Sequence, residues 1–157
     1  MLLNRITVLA VATLSALLAG GGVIAVARAR TEIAPAIPRS ADGHYWAEAM
    51  TFTDIKQAKI RFLIDTGAST VALSANDARR LGLQPEKLVY SRPVFTAQGE
   101  VRAAPVILSR IDVGGATVRE VKALVLKDGP ETSLLGMSFL GRLSRIEATP
   151  ETLILRR

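Results

Sequence analysis

Short apolar or alternating runs, bounded by turn residues, make up most of the chain after residue 44. This pattern is typical of β-strands. Eight strands are predicted, over residues 45–53, 59–65, 70–73, 89–96, 100–113, 116–127, 144–148 and 152–156. The turns between them are indicated by Gln98-Gly99, Gly114-Gly115, Asp128-Gly129-Pro130 and Thr149-Pro150-Glu151. So many short strands in a domain of this length predict an all-β barrel or sandwich.

One helix interrupts the strands, in the segment SANDARRLG over residues 74–82. Ser74 is a favourable N-cap, and Asp77 provides an acidic variant of the capping box. Gly82 stands where a glycine commonly ends a helix. A second helical turn is expected over residues 137–143, so the domain should contain one or two short helices.

The N-terminal stretch is apolar throughout and shows no polar stripe. From Ile6 to Ala27 there are 22 residues without a charge, and a helix of about 20 apolar residues crosses the hydrocarbon layer of a membrane. A transmembrane helix over residues 6–27 is the preferred interpretation. A cleaved signal peptide is the alternative, because Ala27-Arg28-Ala29 resembles an A-x-A cleavage site.

The chain therefore divides into three parts. Residues 1–30 are interpreted as a membrane anchor or signal segment, residues 31–43 as a linker with two prolines, and residues 44–157 as the folded domain. A single N-terminal anchor most often places the body of a protein outside the cytoplasmic membrane. We therefore expect a single-pass inner-membrane protein with a periplasmic domain. Arg28 and Arg30 argue mildly against that orientation, because basic residues favour the cytoplasmic side.

Composition and charge narrow the possible classes of function. The net charge is +6, but the Lys and Arg residues are scattered along the sequence, and only 4% of the residues are aromatic. Nucleic acid is therefore not an expected partner. There is no cysteine, and no His, Cys or acidic cluster has metal-ligand spacing, so neither a metal nor another cofactor is expected. His44, the only histidine, is interpreted as a surface residue.

The candidate chemistry lies at the end of a predicted strand, in RFLIDTGAST over residues 61–70. An ionised carboxylate in an apolar interior is costly unless it is compensated, so Asp65 needs an explanation. Asp65 could simply cap the following turn through backbone amides. A phosphate-binding turn of the actin-like ATPases would need two large lobes, and a dehalogenase-type nucleophile would need a second Asp where Gly67 stands. A catalytic carboxylate surrounded by small residues is the remaining interpretation.

Three segments, in order, resemble the retropepsin-like aspartic proteases. FLIDTGAST (62–70) resembles the active-site loop, FTAQGEVRAAPV (95–106) the flap hairpin, and SLLGMSFLGRL (133–143) the second signature of an apolar pair, a glycine and a helix. Together they resemble a bacterial, membrane-anchored branch of the clan, from about residue 44 to the end. The chain departs from the usual pattern at Gln98, where Asn is more usual, and in lacking an Asn-Gly hairpin before the catalytic strand.

The resemblance implies a small closed barrel of the retropepsin type and an aspartic endopeptidase activity. In this mechanism two carboxylates share a proton and activate a water molecule. The chain contains a single Asp-Thr-Gly, so the second carboxylate would come from the Asp65 of another copy in a two-fold symmetric homodimer. The other aspartates lie in polar or turn surroundings in the sequence: Asp42, Asp54, Asp77, Asp112 and Asp128.

The resemblance also implies a role for each residue of the site. Asp65 would be the catalytic acid and base, Thr66 would grip the loop of the second copy, and Gly67 would admit the substrate backbone. Substrate contacts are implied for Ala68, Ser69, Thr70, Thr96, Ala97, Gln98 and Gly99. Structural support of the catalytic loop is implied for Leu134, Leu135 and Gly136. The expected partners are a polypeptide substrate, a second copy and the membrane; the alternative is a catalytically silent peptide-binding or dimerisation module of the same fold.

Overall fold

The computed structural model describes residues 35–96 and 99–157. The predicted transmembrane helix and the first part of the predicted linker lie outside these ranges, as do Ala97 and Gln98 at the predicted flap tip. In the two ranges that are described, no helix is long and apolar enough to cross a membrane.

Ten strands and two short α-helices lie within the described ranges. The strands are β1 (Ile37–Pro38), β2 (Trp46–Phe52), β3 (Gln57–Ile64), β4 (Val71–Leu73), β5 (Arg92–Thr96), β6 (Gly99–Val113), β7 (Ala116–Leu126), β8 (Ser133–Leu135), β9 (Arg145–Ala148) and β10 (Thr152–Arg156). The helices are α1 (Ala75–Arg80) and α2 (Met137–Leu140), and a 3-10 helix spans Pro85–Lys87. All eight predicted strands and both predicted helices are confirmed, with bounds that differ from the prediction by at most three residues. The strands β1 and β8 were not predicted, because two or three residues carry no readable alternation.

Six strands close into a barrel, which decides between the barrel and the sandwich. The order around the barrel is β2, β3, β8, β4, β7 and β6, and β6 pairs with β2 to close it. Closure depends on the length of β6, whose far end pairs with β2 through Met50↔Asp112 and Phe52↔Arg110. The near end of β6 pairs instead with β5, from Arg92↔Ala103 to Thr96↔Gly99. This β5–β6 hairpin extends the sheet beyond the closed barrel.

The core follows from the alternation along the barrel strands. On β2 the buried positions are Ala47, Ala49 and Thr51, and on β3 they are Ile60 and Phe62. Burying one large apolar side chain contributes about 1.5–3 kcal/mol. The largest side chains with almost no exposed surface are Phe62, Phe139, Ile60, Leu73, Leu81, Leu108, Ile111, Leu135, Leu140 and Leu155. The site described below is formed by the end of β3 and by the turn from β8 into α2. Each of these segments therefore begins next to a fully buried side chain, Phe62 on β3 and Leu135 on β8.

The helix α1 forms as its sequence predicts. The Ser74 hydroxyl accepts a hydrogen bond from Asp77 N at 3.1 Å, which caps the first turn. Gly82 follows the helix with φ at +76°, a left-handed conformation that favours glycine. The helix is thus bounded on both sides by local interactions.

A second sheet joins both ends of the described chain. In it β1 pairs with β10 through Ile37↔Leu153, and β10 pairs with β9. Ile37 is buried, and Arg39 forms an isolated bridge with Tyr45. Residues 37–39, which fall in the predicted linker, are therefore paired with the folded domain.

Candidate active site

The Asp65 loop is held between three strands. It leaves β3 and returns as β4, and β8 lies between these two strands. The pairing of β3 with β8 is parallel, with Ile64↔Leu135 as its last pair, and Asp65 N donates to Leu135 O at 3.2 Å. The last residue of an apolar strand therefore delivers the carboxylate at the point where the chain must turn.

The Asp65 carboxylate is partly exposed and closes its own turn. Its Oδ1 accepts a hydrogen bond from Gly67 N at 2.8 Å, and its backbone carbonyl accepts one from Ala68 N at 3.3 Å. Oδ2 accepts no hydrogen bond from the described residues. The turn-capping interpretation is therefore correct for one oxygen, and it leaves the other oxygen available for chemistry.

Gly136 allows β8 to approach the loop closely. A Cβ atom at this position would lie 2.5 Å from the Thr70 carbonyl oxygen and 2.7 Å from the Ala68 carbonyl oxygen. The next residue uses the same contact, because Met137 N donates to Ala68 O at 2.8 Å. Since Gly136 has an extended backbone, the glycine is required by this close approach and not by its backbone angles.

Ser138, which the sequence analysis did not single out, links the loop to the barrel. Its hydroxyl accepts a hydrogen bond from Val71 N at 2.9 Å and donates one to Lys122 O at 2.7 Å. It therefore joins the start of β4, the helix α2 and β7. The only signal for this role in the sequence is that a small polar residue follows the Leu-Leu-Gly segment at the start of a predicted helix.

We expect Ser138→Ala to lower the free energy of unfolding by about 1–3 kcal/mol, because the buried Val71 N–H loses its acceptor. The loss should appear as a lower midpoint of thermal unfolding, since the loop loses a support. Ser144→Ala is the matched control, because Ser144 is exposed and its hydroxyl makes only a 3.3 Å contact. Equal midpoints for the two variants would contradict this role.

A buried polar network supports the other side of β8. The Ser133 hydroxyl donates to Asp77 Oδ2 at 2.7 Å and accepts from Ser74 N at 3.1 Å. The other carboxylate oxygen of Asp77 accepts from Arg80 at 2.9 Å, and Arg80 also reaches Lys59 O on β3. Asp77, which lies in polar surroundings in the sequence, is therefore buried in the fold with polar partners.

The residues of the Asp65 loop differ in exposure. Thr66, Gly67 and Ser69 are exposed, whereas Ala68 and Thr70 are partly buried. The predicted hairpin is present as β5 and β6, and Gly99 has φ at +116° beside its tip. Thr96 is the last residue of β5, whereas Ala97 and Gln98 lie outside the described residues.

A second apolar cluster joins β4, β7 and β8 to the β5–β6 hairpin. Ala72, Ala103, Leu124 and Leu126 are buried together in it, and the partly buried Val94, Val101 and Leu134 pack against them. Leu135 and Gly136 are buried, as expected for support of the loop, whereas Leu134 packs against this second cluster.

The residues before β2 lie next to the end of β3. Ile64 N donates to Tyr45 O, so the antiparallel register that pairs Trp46 with Leu63 continues towards His44 and Asp65. His44 is exposed, as expected. The His44 N–H and the Trp46 indole donate hydrogen bonds to Asp42 and lower the pKa of its carboxyl. No group of three or more His, Cys, Asp or Glu residues in the described ranges could hold a metal ion.

The fold and the site together define a class of protein. A closed barrel presents an Asp-Thr-Gly loop, a Leu-Leu-Gly strand braces that loop, and a hairpin stands beside it: this is the arrangement of the retropepsin-like aspartic proteases. Residues 52–142 match the family described as "gag-polyprotein putative aspartyl protease". The chain belongs to the retropepsin-like aspartic protease family.

Individual relatives agree with this assignment. A crystal structure of a retropepsin-like aspartic protease from Rickettsia conorii is 36% identical, with a TM-score of 0.65 over 76% of this chain and 96% of that chain. An uncharacterized protein of Rickettsia prowazekii (strain Madrid E) is 40% identical over 119 residues, covering 76% of this chain and 49% of the relative. An uncharacterized protein from the cobV 5′ region of Sinorhizobium sp. is 41% identical over 116 residues, covering 73% and 48%. The chain spans about half the length of these two curated relatives.

Proposed function

We propose that this protein is a membrane-tethered aspartic endopeptidase in which two copies of Asp65, one from each chain of a homodimer, activate a water molecule. The observation that carries the proposal is the position of Asp65. Its Oδ1 is held by the turn, whereas Oδ2 accepts no hydrogen bond from the described residues. A carboxylate held in this way is oriented by the fold and keeps one oxygen for a water molecule.

The single Asp-Thr-Gly supports the homodimer. Asp77 is bound to Arg80 and Ser133, and Asp112 is bound to Arg110 and Thr117. These carboxylates are committed to structural contacts and cannot serve Asp65 as a partner. A second Asp65 on a two-fold axis supplies the required carboxylate without any further residue.

The chemistry follows from two carboxylates that share one proton. Two close carboxylates cannot both ionise cheaply, so one is charged and the other is protonated. The charged Asp65 takes a proton from water as the water oxygen attacks the peptide carbonyl, and the other Asp65 gives its proton to the carbonyl oxygen. Collapse of this tetrahedral intermediate breaks the C–N bond. The first Asp65 returns its proton to the leaving amine nitrogen, and the second Asp65 takes back a hydroxyl proton as the new carboxyl group forms.

The remaining site residues are assigned to holding the substrate. Gly67 gives the peptide backbone close access to the carboxylates, and Thr66 steadies the loop against the other copy. Ala68, Ser69 and Thr70 line the floor of the cleft. The hairpin tip, Thr96 to Gly99, closes over the bound peptide.

The tether and the location are part of the same proposal. Residues 6–27 carry no charge and hold the protein in the inner membrane, with the folded domain in the periplasm. Confinement to a membrane raises the effective concentration of one copy near another. A weak homodimer can therefore form at a low cellular abundance.

The assay uses the full-length chain in detergent with an unfolded protein as substrate, across acidic to neutral pH. New peptides with carboxyl termini labelled from ¹⁸O-water are expected. Binding of the unfolded protein without any new peptide would favour the alternative, a silent peptide-binding or dimerisation module. The substitution that assigns the cleavage to Asp65 is given in the Discussion.

A further inference from the structure

Basic side chains are scattered in the sequence but gather on one face of the folded domain. This cationic face comprises Arg119, Lys122, Arg142, Arg145, Arg156 and Arg157. The residues come from β7, from the loop after α2, and from the paired ends of β9 and β10. Every one of them is exposed except Arg156, which is partly buried.

Hydrogen bonds show that these residues are neighbours. Arg142 donates to the backbone carbonyls of Arg119 and Glu120 on β7. Arg157 donates to the Thr117 carbonyl on the same strand, and Arg156 pairs with Arg145 across β9 and β10. The ends of β9 and β10 and the loop after α2 are thereby fastened to β7.

The cationic face carries the excess positive charge of the domain. Its six basic residues are accompanied by Glu120 and by Glu147, which is paired with Arg145. The other described residues are balanced, with 11 Lys or Arg and 11 Asp or Glu. A domain whose excess charge lies on one face favours a single orientation next to a charged surface.

The first described residues lie beside this face. Because β1 runs antiparallel to β10 with Ile37↔Leu153 in register, Pro35 and Ala36 run towards the Arg156 end of β10. In the sequence, ten chain steps separate Ala27 from Ile37, and ten residues span at most about 35 Å. Arg28 and Arg30 add two charges in between.

We propose that the cationic face docks on the anionic lipid headgroups of the membrane that holds residues 6–27. This proposal rests on the tether of the proposed function and is independent of the peptidase chemistry. Lipid fits better than nucleic acid, because a tethered domain meets the headgroups continually and the face contains no aromatic residue for base stacking. Docking fixes which side of the domain faces the membrane.

The test uses the full-length chain with Asp65→Asn, so that docking is measured without hydrolysis, in vesicles of phosphatidylcholine with or without phosphatidylglycerol. The chain contains no cysteine, so Ser144→Cys places a single fluorescent donor on the cationic face and Asp54→Cys places one on the β2–β3 turn. Energy transfer to a headgroup acceptor reports the distance to the membrane. The variant removes three charges whose side chains make no hydrogen bond or ion pair with the described residues: Arg119→Gln, Lys122→Gln and Arg156→Gln. The matched control removes three exposed charges elsewhere: Lys56→Gln, Arg79→Gln and Lys87→Gln.

We expect transfer from residue 144 to rise when phosphatidylglycerol is present, to exceed that from residue 54, and to fall in high salt. The ratio of docked to undocked protein should fall about fivefold for each charge removed from the face, and it should stay near the wild-type value in the control. Equal transfer in the two kinds of vesicle, or equal losses in both triple variants, would overturn docking. A triple variant that changes the oligomeric state but not the transfer would assign the face to a second copy instead. If the chain did not float with phosphatidylcholine vesicles, residues 6–27 would not be a membrane tether, and the docking proposal would fail as well.

Discussion

Asp65→Asn is expected to lower kcat/KM for peptide hydrolysis by about 10⁴-fold or more, because general acid–base catalysis by one group contributes about 10²–10⁴-fold and the homodimer loses both groups. The fold should be retained, since the amide oxygen of Asn can still accept the hydrogen bond from Gly67 N. Two measurements on the same full-length preparation separate a loss of catalysis from a loss of stability. Initial rates with an unfolded protein as substrate report catalysis, and thermal unfolding of the variant reports stability.

Asp54→Asn makes the same chemical change on an exposed turn and should leave the rate within about twofold of wild type, as surface substitutions usually do. If Asp65→Asn cleaved as fast as Asp54→Asn, the cleavage would belong to another group or to a contaminant. The peptidase assignment would then fail, although membership of the family would stand.

Gly136→Ala is expected to cost about 3 kcal/mol of stability or more, because the new methyl group meets two backbone carbonyls that cannot rotate away. Its Cβ would lie 2.5 Å from Thr70 O and 2.7 Å from Ala68 O. Relief requires β8 and the catalytic loop to separate, so hydrolysis should fall as well. Thermal or denaturant unfolding of the full-length variant measures the loss.

Gly67→Ala is the matched control on the same loop. There the new methyl group would lie 3.1 Å from a side-chain atom, Asp65 Oδ1, which can shift by a few tenths of an ångström. We expect this variant to lose activity with less than about 1 kcal/mol of stability. A stability for Gly136→Ala equal to that of Gly67→Ala would contradict the close packing of β8 on the loop.

Local signals in the sequence were sufficient to predict most of the strands, helices and turns. The Ser74 cap, the Gly82 end of α1 and the Asp-Thr-Gly turn each depend on residues within a few positions of one another. Such interactions can be predicted because the chemistry of one short segment determines them.

The interactions that assemble the site are long-range, and the pattern of residues did not predict them. The closed barrel and the support of the loop by Leu134, Leu135 and Gly136 were implied only by the resemblance to the family. The strand β8 is defined by its parallel pairing with β3, and barrel closure by the pairing of β6 with β2. The roles of Ser138 and Ser133 could not be predicted, because their partners Val71 and Asp77 are distant in the sequence and reach them only in the folded chain. The cationic face likewise appears only when folding brings the end of β10 and the loop after α2 to β7.

The central claim is that one active site contains Asp65 from two chains, and mixing active with inactive chains tests it most directly. Wild-type protein is exchanged with an equal amount of Asp65→Asn protein, and exchange is verified by capture through a tag on one of them. Random pairing leaves one dimer in four with two aspartates, so the rate should fall to about a quarter of that of an equal total amount of wild type. A rate of about half would mean that each chain works alone, and it would contradict the shared site.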